Sequence, residues 1–391
     1  MRKSQSKNWR KVKLGEVMST AKTNFEKIKT SEYRKTGKFP IYDQGSDNIA
    51  GYTDNPKAEY KGKSPAILFG DHTLKLKLAE PPFAIGADGI QILEPDENLL
   101  DRKFFYYTIK GLKIKSYGYE RHMKYLRELE ILYPSIIDQK YIASILSAFD
   151  DKIELNNKIS RNLEQMAQAI FKEWFVKFKF PGYKKVKMVD SELGKIPVEL
   201  GFTNFVGVLV ENKGKGFEPG SVNYSSIRKD GFIPFYRVRD LGTQKRKTDV
   251  YVNKNLVKDD YICKVENVLI SLDGTVGKVA IGCVGAYSSG IYKIHPNINY
   301  DYIKNSFLYF FLKSNYVQNI LNSYVKGTTI THASYALDYI YIPTNRYYIE
   351  EFQNIAEPIF TNILKNIEEN QKLAALRDLL LPKLMNGEIK V

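Results

Sequence analysis

The chain is written twice, and this constrains its fold more than any other feature. Residues 69–95 read FGDHTLKLKLAEPPFAIGADGIQILEP, and residues 272–296 read LDGTVGKVAIGCVGAYSSGIYKIHP. In each copy an apolar strand ends in an Asp-containing turn. A second strand then follows a glycine, Gly89-Ile90-Gln91-Ile92 in one copy and Gly290-Ile291-Tyr292-Lys293-Ile294 in the other. Asp273 lies 202 residues after Asp71, and Gly290 lies 201 after Gly89. An aromatic helical stretch comes next (104–114 and 307–321), and its aromatic parts at 104–107 and 307–311 are read as core rather than as a base-stacking platform. A strand ending at Pro134 or Pro343 closes each copy.

One piece of the repeat, LDGTVGK at 272–278, looks like half of a phosphate loop. That motif needs G-x-x-x-x-G-K-[ST], so that amides wrap the phosphates and a hydroxyl holds Mg²⁺. With Gly277-Lys278 as the GK pair, Leu272 stands where the first glycine belongs and Val279 where the hydroxyl belongs. The nucleotide-binding reading fails at both positions.

A second repeated element follows each proline. Over 139–175 apolar residues recur at spacings of three and four, with one gap of six between Ile153 and Ile159. Over 350–384 the same stripe recurs, with the same gap between Ile367 and Leu373. Such spacing traces one face of a helix, each about 50 Å long at 1.5 Å per residue. Asn156 and Asn370 fall at the gaps, where a polar residue fixes register. Pro358 is expected to mark the start of the second regular helix, because proline is tolerated in a first turn. Stripes this long and one-sided pack economically against each other as an antiparallel pair.

The basic charge falls in two blocks. Residues 1–134 carry 25 Lys and Arg against 17 Asp and Glu, and residues 179–343 carry 22 against 14, while 135–178 and 344–391 are close to neutral. Two equal basic modules point to two contacts with a polyanion. The fold expected is α+β, with two similar α/β domains separated by two long helices packed as an antiparallel coiled-coil pair, an internal pseudo-two-fold repeat. Its parts are a first domain at 1–134, a central helix at 135–178, a linker at 179–200, a second domain at 201–343 and a C-terminal helix at 344–391.

Several classes are disfavoured. No apolar run reaches the 18 residues of a membrane span, and the basic N-terminus lacks the apolar region of a signal peptide. Two cysteines, Cys263 and Cys283, fit a reduced cytoplasmic protein and fall short of a zinc site. The four histidines (His72, His122, His295 and His332) have no ligand or triad spacing. The nearest cluster to a nuclease centre, Asp190-Ser191-Glu192-Leu193-Gly194-Lys195, reads as a solvated turn in the linker.

With this layout the chain resembles the specificity subunit of a Type I restriction-modification system. The resemblance rests on FGDHT (69–73), FAIGADGI (83–90), DQKYIASILSAFDDKIELN (138–156) and LEQMAQAIFKEWFVKF (163–178). It continues through MVDSELGKIP (188–197), DGTVGK (273–278) and LRDLLLPKLMNGEI (376–389), in order along nearly the whole chain. The resemblance implies two target-recognition domains, each reading one half of a split double-stranded DNA site, with helix length setting the spacer. It implies two modification subunits docked on the helix pair and restriction subunits beyond them. S-adenosylmethionine, ATP and Mg²⁺ then belong to those partners, and this chain carries no cofactor and no catalysis of its own. The rival readings are a self-contained DNA methyltransferase or nuclease with a divergent site, and a tandem nucleic-acid-binding scaffold.

Base edges are read by Arg or Lys on guanine and by Asn or Gln on adenine, while Lys and Arg hold phosphates. In the first block the candidates are Gln44, Ser46 and Asn48 on a loop, and Asp71 and His72 with Lys75 and Lys77 at the turn. Arg121, His122 and Lys124 complete the set within one helical turn. In the second block they are Arg237 and Arg239 on one strand face, and the basic loop Gln244, Lys245, Arg246 and Lys247. Thr275 and Lys278 in DGTVGK, and Lys326, Thr328 and His332 before the closing strand, complete that set.

Overall fold

The computed structural model describes residues 9–391 except 22–23, 46, 87–88, 116–117, 119, 192–193, 210–213, 243–247 and 325–332. The chain forms two compact units, one of residues 1–152 with 373–391 and the other of 153–372. The division runs through both long helices, so each unit owns a segment of each.

In the first unit a four-stranded antiparallel sheet runs in the order Met18–Thr20, Ile90–Pro95, Ala66–Gly70, Leu76–Ala79. Every residue of Ala66–Gly70 is buried, because both faces of the strand are covered. Ile67 and Phe69 enter a core with the helix Arg102–Gly111, and Ala66 and Leu68 enter a second core with Phe83 and Ile85. This is the period of two expected of a strand, hidden in an unbroken apolar run. Phe39–Tyr42 pairs in parallel with Ala84–Ile85 in a second small sheet, and Arg10–Lys13 pairs with Glu130–Tyr133.

The second unit repeats the plan. Val268–Ser271 lies between Val279–Ala280 and Ile291–Ile294, sending Val268 and Ile270 to one core and Leu269 to another. Phe232–Tyr236 pairs in parallel with Gly285–Tyr287, and Phe202–Asn204 pairs with Tyr341–Pro343. Phe104 and Phe105 are 0% exposed, and none of Phe307 to Phe311 exceeds 2%, so the aromatic stretches are core in both copies.

The sheets correct the repeat by one residue. Gly70 pairs with Ile90 and Ser271 with Ile291, both shifted by 201, so Asp71 corresponds to Leu272 and not to Asp273. The backbone agrees: the Asp71 carbonyl accepts the N–H of His122, and the Leu272 carbonyl accepts that of Ala333. Register is set by which side chains alternate into the core, and a one-residue slip would turn all of them outward. The identity of a turn residue carries no such penalty.

The central helix spans Ile136–Phe171 and the C-terminal helix Arg346–Met385. Ser135 starts the first, its hydroxyl 2.8 Å from the Asp138 carboxylate and accepting the Asp138 N–H. Asn345 starts the second, its side chain accepting the Tyr348 N–H. Pro358 therefore lies well inside a regular helix, contrary to the sequence expectation. Phe352, Ala356, Phe360 and Ile363 around it are all buried, and that packing outweighs the roughly 3 kcal/mol cost of an interior proline. The helices run antiparallel within each unit: Ile142 and Leu146 share a core with Leu384 and Leu381 in the first, and Ala167 and Phe171 with Phe360 and Phe352 in the second.

The polar seam lies in the second unit. Asn156, 1% exposed, donates to the Asn370 side chain at 3.0 Å and to Glu369 at 2.7 Å, while Asn366 donates to Ser160 at 3.1 Å. The shift of 214 between Asn156 and Asn370 also relates two buried glutamines that sequence reading did not single out. Gln139 accepts from the Asp101 N–H and donates to the Leu99 carbonyl. Gln353 accepts from the Lys304 N–H and donates to the Tyr302 carbonyl. Each glutamine thus ties the loop before its aromatic helix to its own long helix. The segment read as a linker is partly ordered structure, with a hairpin pairing Met188–Ser191 with Gly194–Pro197. Asp190 and Lys195 face each other across it, while Glu192 lies outside the described residues.

Candidate nucleic-acid interface

The turn after Ala66–Gly70 organises the first unit's candidates. The Asp71 carbonyl accepts both the backbone N–H and the Nδ1–H of His122, at 2.9 and 2.8 Å, and the Asp71 carboxylate accepts the Met123 N–H at 2.8 Å. The turn is thereby bolted to the helix Met123–Glu128. Asp71 is 3% exposed and His122 0%. Both are platform residues rather than contact residues: His122 is wholly enclosed, and Asp71 reaches the surface only as a lining residue whose carboxylate is held by the Met123 N–H, which corrects their assignment as contacts. Lys77 is corrected in the same way. At 7% exposed it donates to the Asp47 carbonyl at 2.5 Å and faces Asp43 at 3.7 Å, holding the loop that bears Gln44 and Asn48. Burial lowers its ammonium pKa, and Asp43 only partly offsets that.

Gln44 is half-buried. A Cβ on Gly89 would stand 2.7 Å from its Nε2, and one on Gly70 would stand 2.9 Å from its Cβ, so both glycines make room for it. Its carbonyl accepts the Thr73 hydroxyl at 2.7 Å. Asn48, Lys75, Arg121 and Lys124 are exposed, and His72 is half-buried. Ser46 lies outside the described residues.

In the second unit Arg237 and Arg239 do not share a strand face. The strand ends at Tyr236, and the Asp240 carboxylate accepts the Arg237 N–H at 2.9 Å, turning the chain into the short helix Val238–Asp240. Both guanidinium groups then converge on Asp249, Arg239 at 3.1 Å. Burial pushes the Asp249 carboxyl up, but Arg239 and Arg237 outweigh it and hold the pKa below the ordinary value. These two cations are partly neutralised where they stand. Gln244, Lys245, Arg246, Lys247, Lys326, Thr328 and His332 lie outside the described residues.

The LDGTVGK turn is closed to phosphate by its own hydrogen bonds. The Ser271 carbonyl accepts the Gly277 N–H at 2.8 Å, and the Ser271 hydroxyl accepts the Lys278 N–H at 3.0 Å while donating to the Thr275 carbonyl at 2.5 Å. Amides that a phosphate loop would aim at its ligand are satisfied by a buried serine. Gly274 and Gly277, at φ of 74° and 83°, supply the left-handed backbone that the turn needs. Thr275 is exposed, whereas Lys278 is half-buried with Nζ 3.4 Å from the Val238 carbonyl.

Beside the Asp71 turn a shallow concavity is lined by Thr20, Asp71, Gln91, Arg121, Met123, Lys124 and Arg127. Thr20, Gln91 and Arg127 were not among the sequence candidates. A signal was present in the spacing of three that links Arg121, Lys124 and Arg127, and in the lone amide within the apolar strand IQILEP. Cations over an amide and a hydroxyl can hold phosphates and read base edges together. Among the described residues no three His, Cys, Asp or Glu side chains are grouped to hold a metal, and no helix is long and apolar enough to cross a membrane.

Comparison with known proteins bears on the family and the fold. At 30% identity over 68% of the chain it is similar to the Type I restriction enzyme MjaIX specificity subunit of Methanocaldococcus jannaschii, and the match spans 62% of that relative's length. At 29% identity over 67% of the chain it is similar to the HindI specificity subunit of Haemophilus influenzae, covering 69% of it. The crystal structure of the Type I restriction-modification S subunit from M. genitalium shares the fold, with a TM-score of 0.50 and 18% identity over 98% of both chains. The family model for the Type I restriction modification DNA specificity domain matches residues 6–165 and again 217–376, so each match takes in most of one sheet-and-turn platform and the larger part of the long helix that follows it. The chain belongs to that family, with two copies of its domain.

Proposed function

We propose that this chain is the DNA sequence-specificity subunit of a cytoplasmic Type I restriction-modification complex. The observation that carries the reading is the doubled match to the specificity-domain model, each copy taking in most of a platform and of the helix that follows it. Each copy reads one half of a bipartite duplex site, and the two halves differ because the two platforms differ. The helix pair sets the spacer and docks two modification subunits, with restriction subunits joining them. S-adenosylmethionine, ATP and Mg²⁺ serve those partners, whose adenine methylation requires the base to leave the stack. This chain's contribution is positioning.

The reading has a direct test. The purified full chain, incubated with duplex DNA, labelled S-adenosylmethionine and Mg²⁺, is expected to transfer no methyl group and make no cut. Adding the modification subunit is expected to start adenine methylation at a split site. Methyl transfer or cleavage by the chain alone would overturn the proposal in favour of a self-contained enzyme. Removing one turn from each long helix is expected to shorten the spacer while leaving both half-sites unchanged.

A further inference from the structure

The concavity of the first unit contains polar side chains that the fold itself does not use. Gln91 lies opposite Phe69 in the sheet ladder, on the strand face that sends Leu93 into the core. At the matching place in the second unit Tyr292 lies opposite Ile270, 4% exposed and packed in the core. One copy fills the position with a buried ring. The other fills it with a half-buried amide that makes no side-chain hydrogen bond among the described residues. The Gln91 amide lines the open concavity, where it can keep hydrogen bonds with water and exchange them for a ligand's, whereas Tyr292 is committed to the core.

The charges around Gln91 point the same way. Arg121 and Arg127 are exposed and make no ion pair among the described residues, and Lys124 is 3.4 Å from Glu120. Asp71, the one acid among the lining residues, has its carboxylate turned to the Met123 N–H. The two arginines differ in how they are held. Arg127 lies in the helix Met123–Glu128, and Gly15 packs so closely that a Cβ there would stand 3.2 Å from the Arg127 Cβ. Arg121 precedes the helix, and Lys124, in its first turn, is a point charge already paired with Glu120. A base reader needs a fixed stem, whereas a phosphate contact tolerates a mobile one.

Building on the proposed function, we infer that Gln91 and Arg127 are specificity-determining residues of the first half-site. Gln91 pairs with an adenine edge and Arg127 with a guanine edge, while Arg121 and Lys124 hold neighbouring phosphates. At the matching position the second unit has the buried Tyr292 instead, so its half-site is read by other groups.

The test is selection of duplexes from a random library by the full chain, with sequencing of the bound fraction. Wild type is expected to enrich a two-part motif. Gln91→Ala is expected to lose preference for one adenine in one half by about tenfold or more, with the other half intact. Arg127→Lys keeps the charge but loses the planar fork. It is expected to relax one guanine in that same half while the salt dependence of binding stays the same. The double variant Arg121→Ala, Lys124→Ala is expected to weaken binding alike on every sequence and lower the salt slope by about two. An unchanged motif in Gln91→Ala and Arg127→Lys, or an equal loss in both halves, overturns the assignment. If Gln91→Ala unfolds the first unit, Arg127→Lys, altered only at an exposed side chain, still decides. A wild type that enriches no two-part motif overturns the proposed function instead, before any variant is scored.

Discussion

Replacing Phe171 by alanine is expected to destabilise the second unit by about 4 kcal/mol, the usual range for a large buried aromatic. Phe171 is 2% exposed and meets four other rings, with centroids 5.0 Å away at Phe175, 5.6 Å at Phe307, 6.3 Å at Phe311 and 5.4 Å at Phe352. These rings belong to the central helix region, the aromatic helix Asn305–Lys313 and the C-terminal helix. Removing Phe171 therefore opens a cavity where three elements join and loses edge-to-face contacts worth about 1 kcal/mol each. The readout is built in. The chain has two tryptophans, and Trp174 packs against Phe175 and Phe352, so its fluorescence in a Trp9→Phe background follows this unit through denaturation. Leu155→Ala on the same helix, where the side chain is 52% exposed, is expected to shift stability by under about 1 kcal/mol. A Phe171→Ala loss no larger than that of Leu155→Ala would contradict the core described above.

The second large effect is expected at Asp150 in the first unit. Its carboxylate accepts the Tyr107 hydroxyl at 2.8 Å, faces the Lys110 ammonium at 3.1 Å and pairs with Arg377 of the C-terminal helix. The side chains of Asp150 and Arg377 are 29% and 14% exposed, so the group is largely withdrawn from water. Burial pushes the Asp150 carboxyl up, but Lys110 and Arg377 outweigh it and hold the pKa below the ordinary value of 3.8. The same burial lowers the Lys110 ammonium despite Asp150, so the aspartate gains more from the cluster than the lysine does. Asp150→Asn leaves two cations facing an amide and is expected to cost about 3 kcal/mol at neutral pH.

The sign of the pH dependence follows from linkage. A carboxyl held below its unfolded pKa stabilises the fold fully above that unfolded value, and the contribution fades as pH falls through the folded pKa. The gap between wild type and Asp150→Asn should therefore be widest at neutral pH and narrow on acidification below about pH 4. Urea unfolding followed by Trp9, which packs on the first unit's core, gives the comparison in a Trp174→Phe background. A gap that widened at acid pH would refute the assigned role of Asp150.

The duplicated platform, the two long helices, their antiparallel pairing and the Asn156–Asn370 seam were legible in the sequence. Each rests on a periodic burial pattern, and the pattern is the physical cause of the element. Pro358 stands inside the helix because the packing of Phe352 and Phe360 overrides the rule that confines proline to a first turn. Individual site residues were less legible. Asp71, His122 and Lys77 have the right chemistry for DNA contact, yet their hydrogen bonds face inward and build the turn. Arg237 and Arg239 have the right charge, yet they meet on Asp249.

The sequence alone determined the architecture and the family, because repeats and burial periods are properties of the chain as written. Which polar groups remain free to meet a ligand was decided by the tertiary structure. A side chain's availability depends on which distant acid, carbonyl or glycine the fold brings beside it. Gln91 shows this directly: in the strand it is one amide among apolar residues, and only the fold brings it to line one concavity with Arg121, Lys124 and Arg127, with no side-chain hydrogen bond among the described residues.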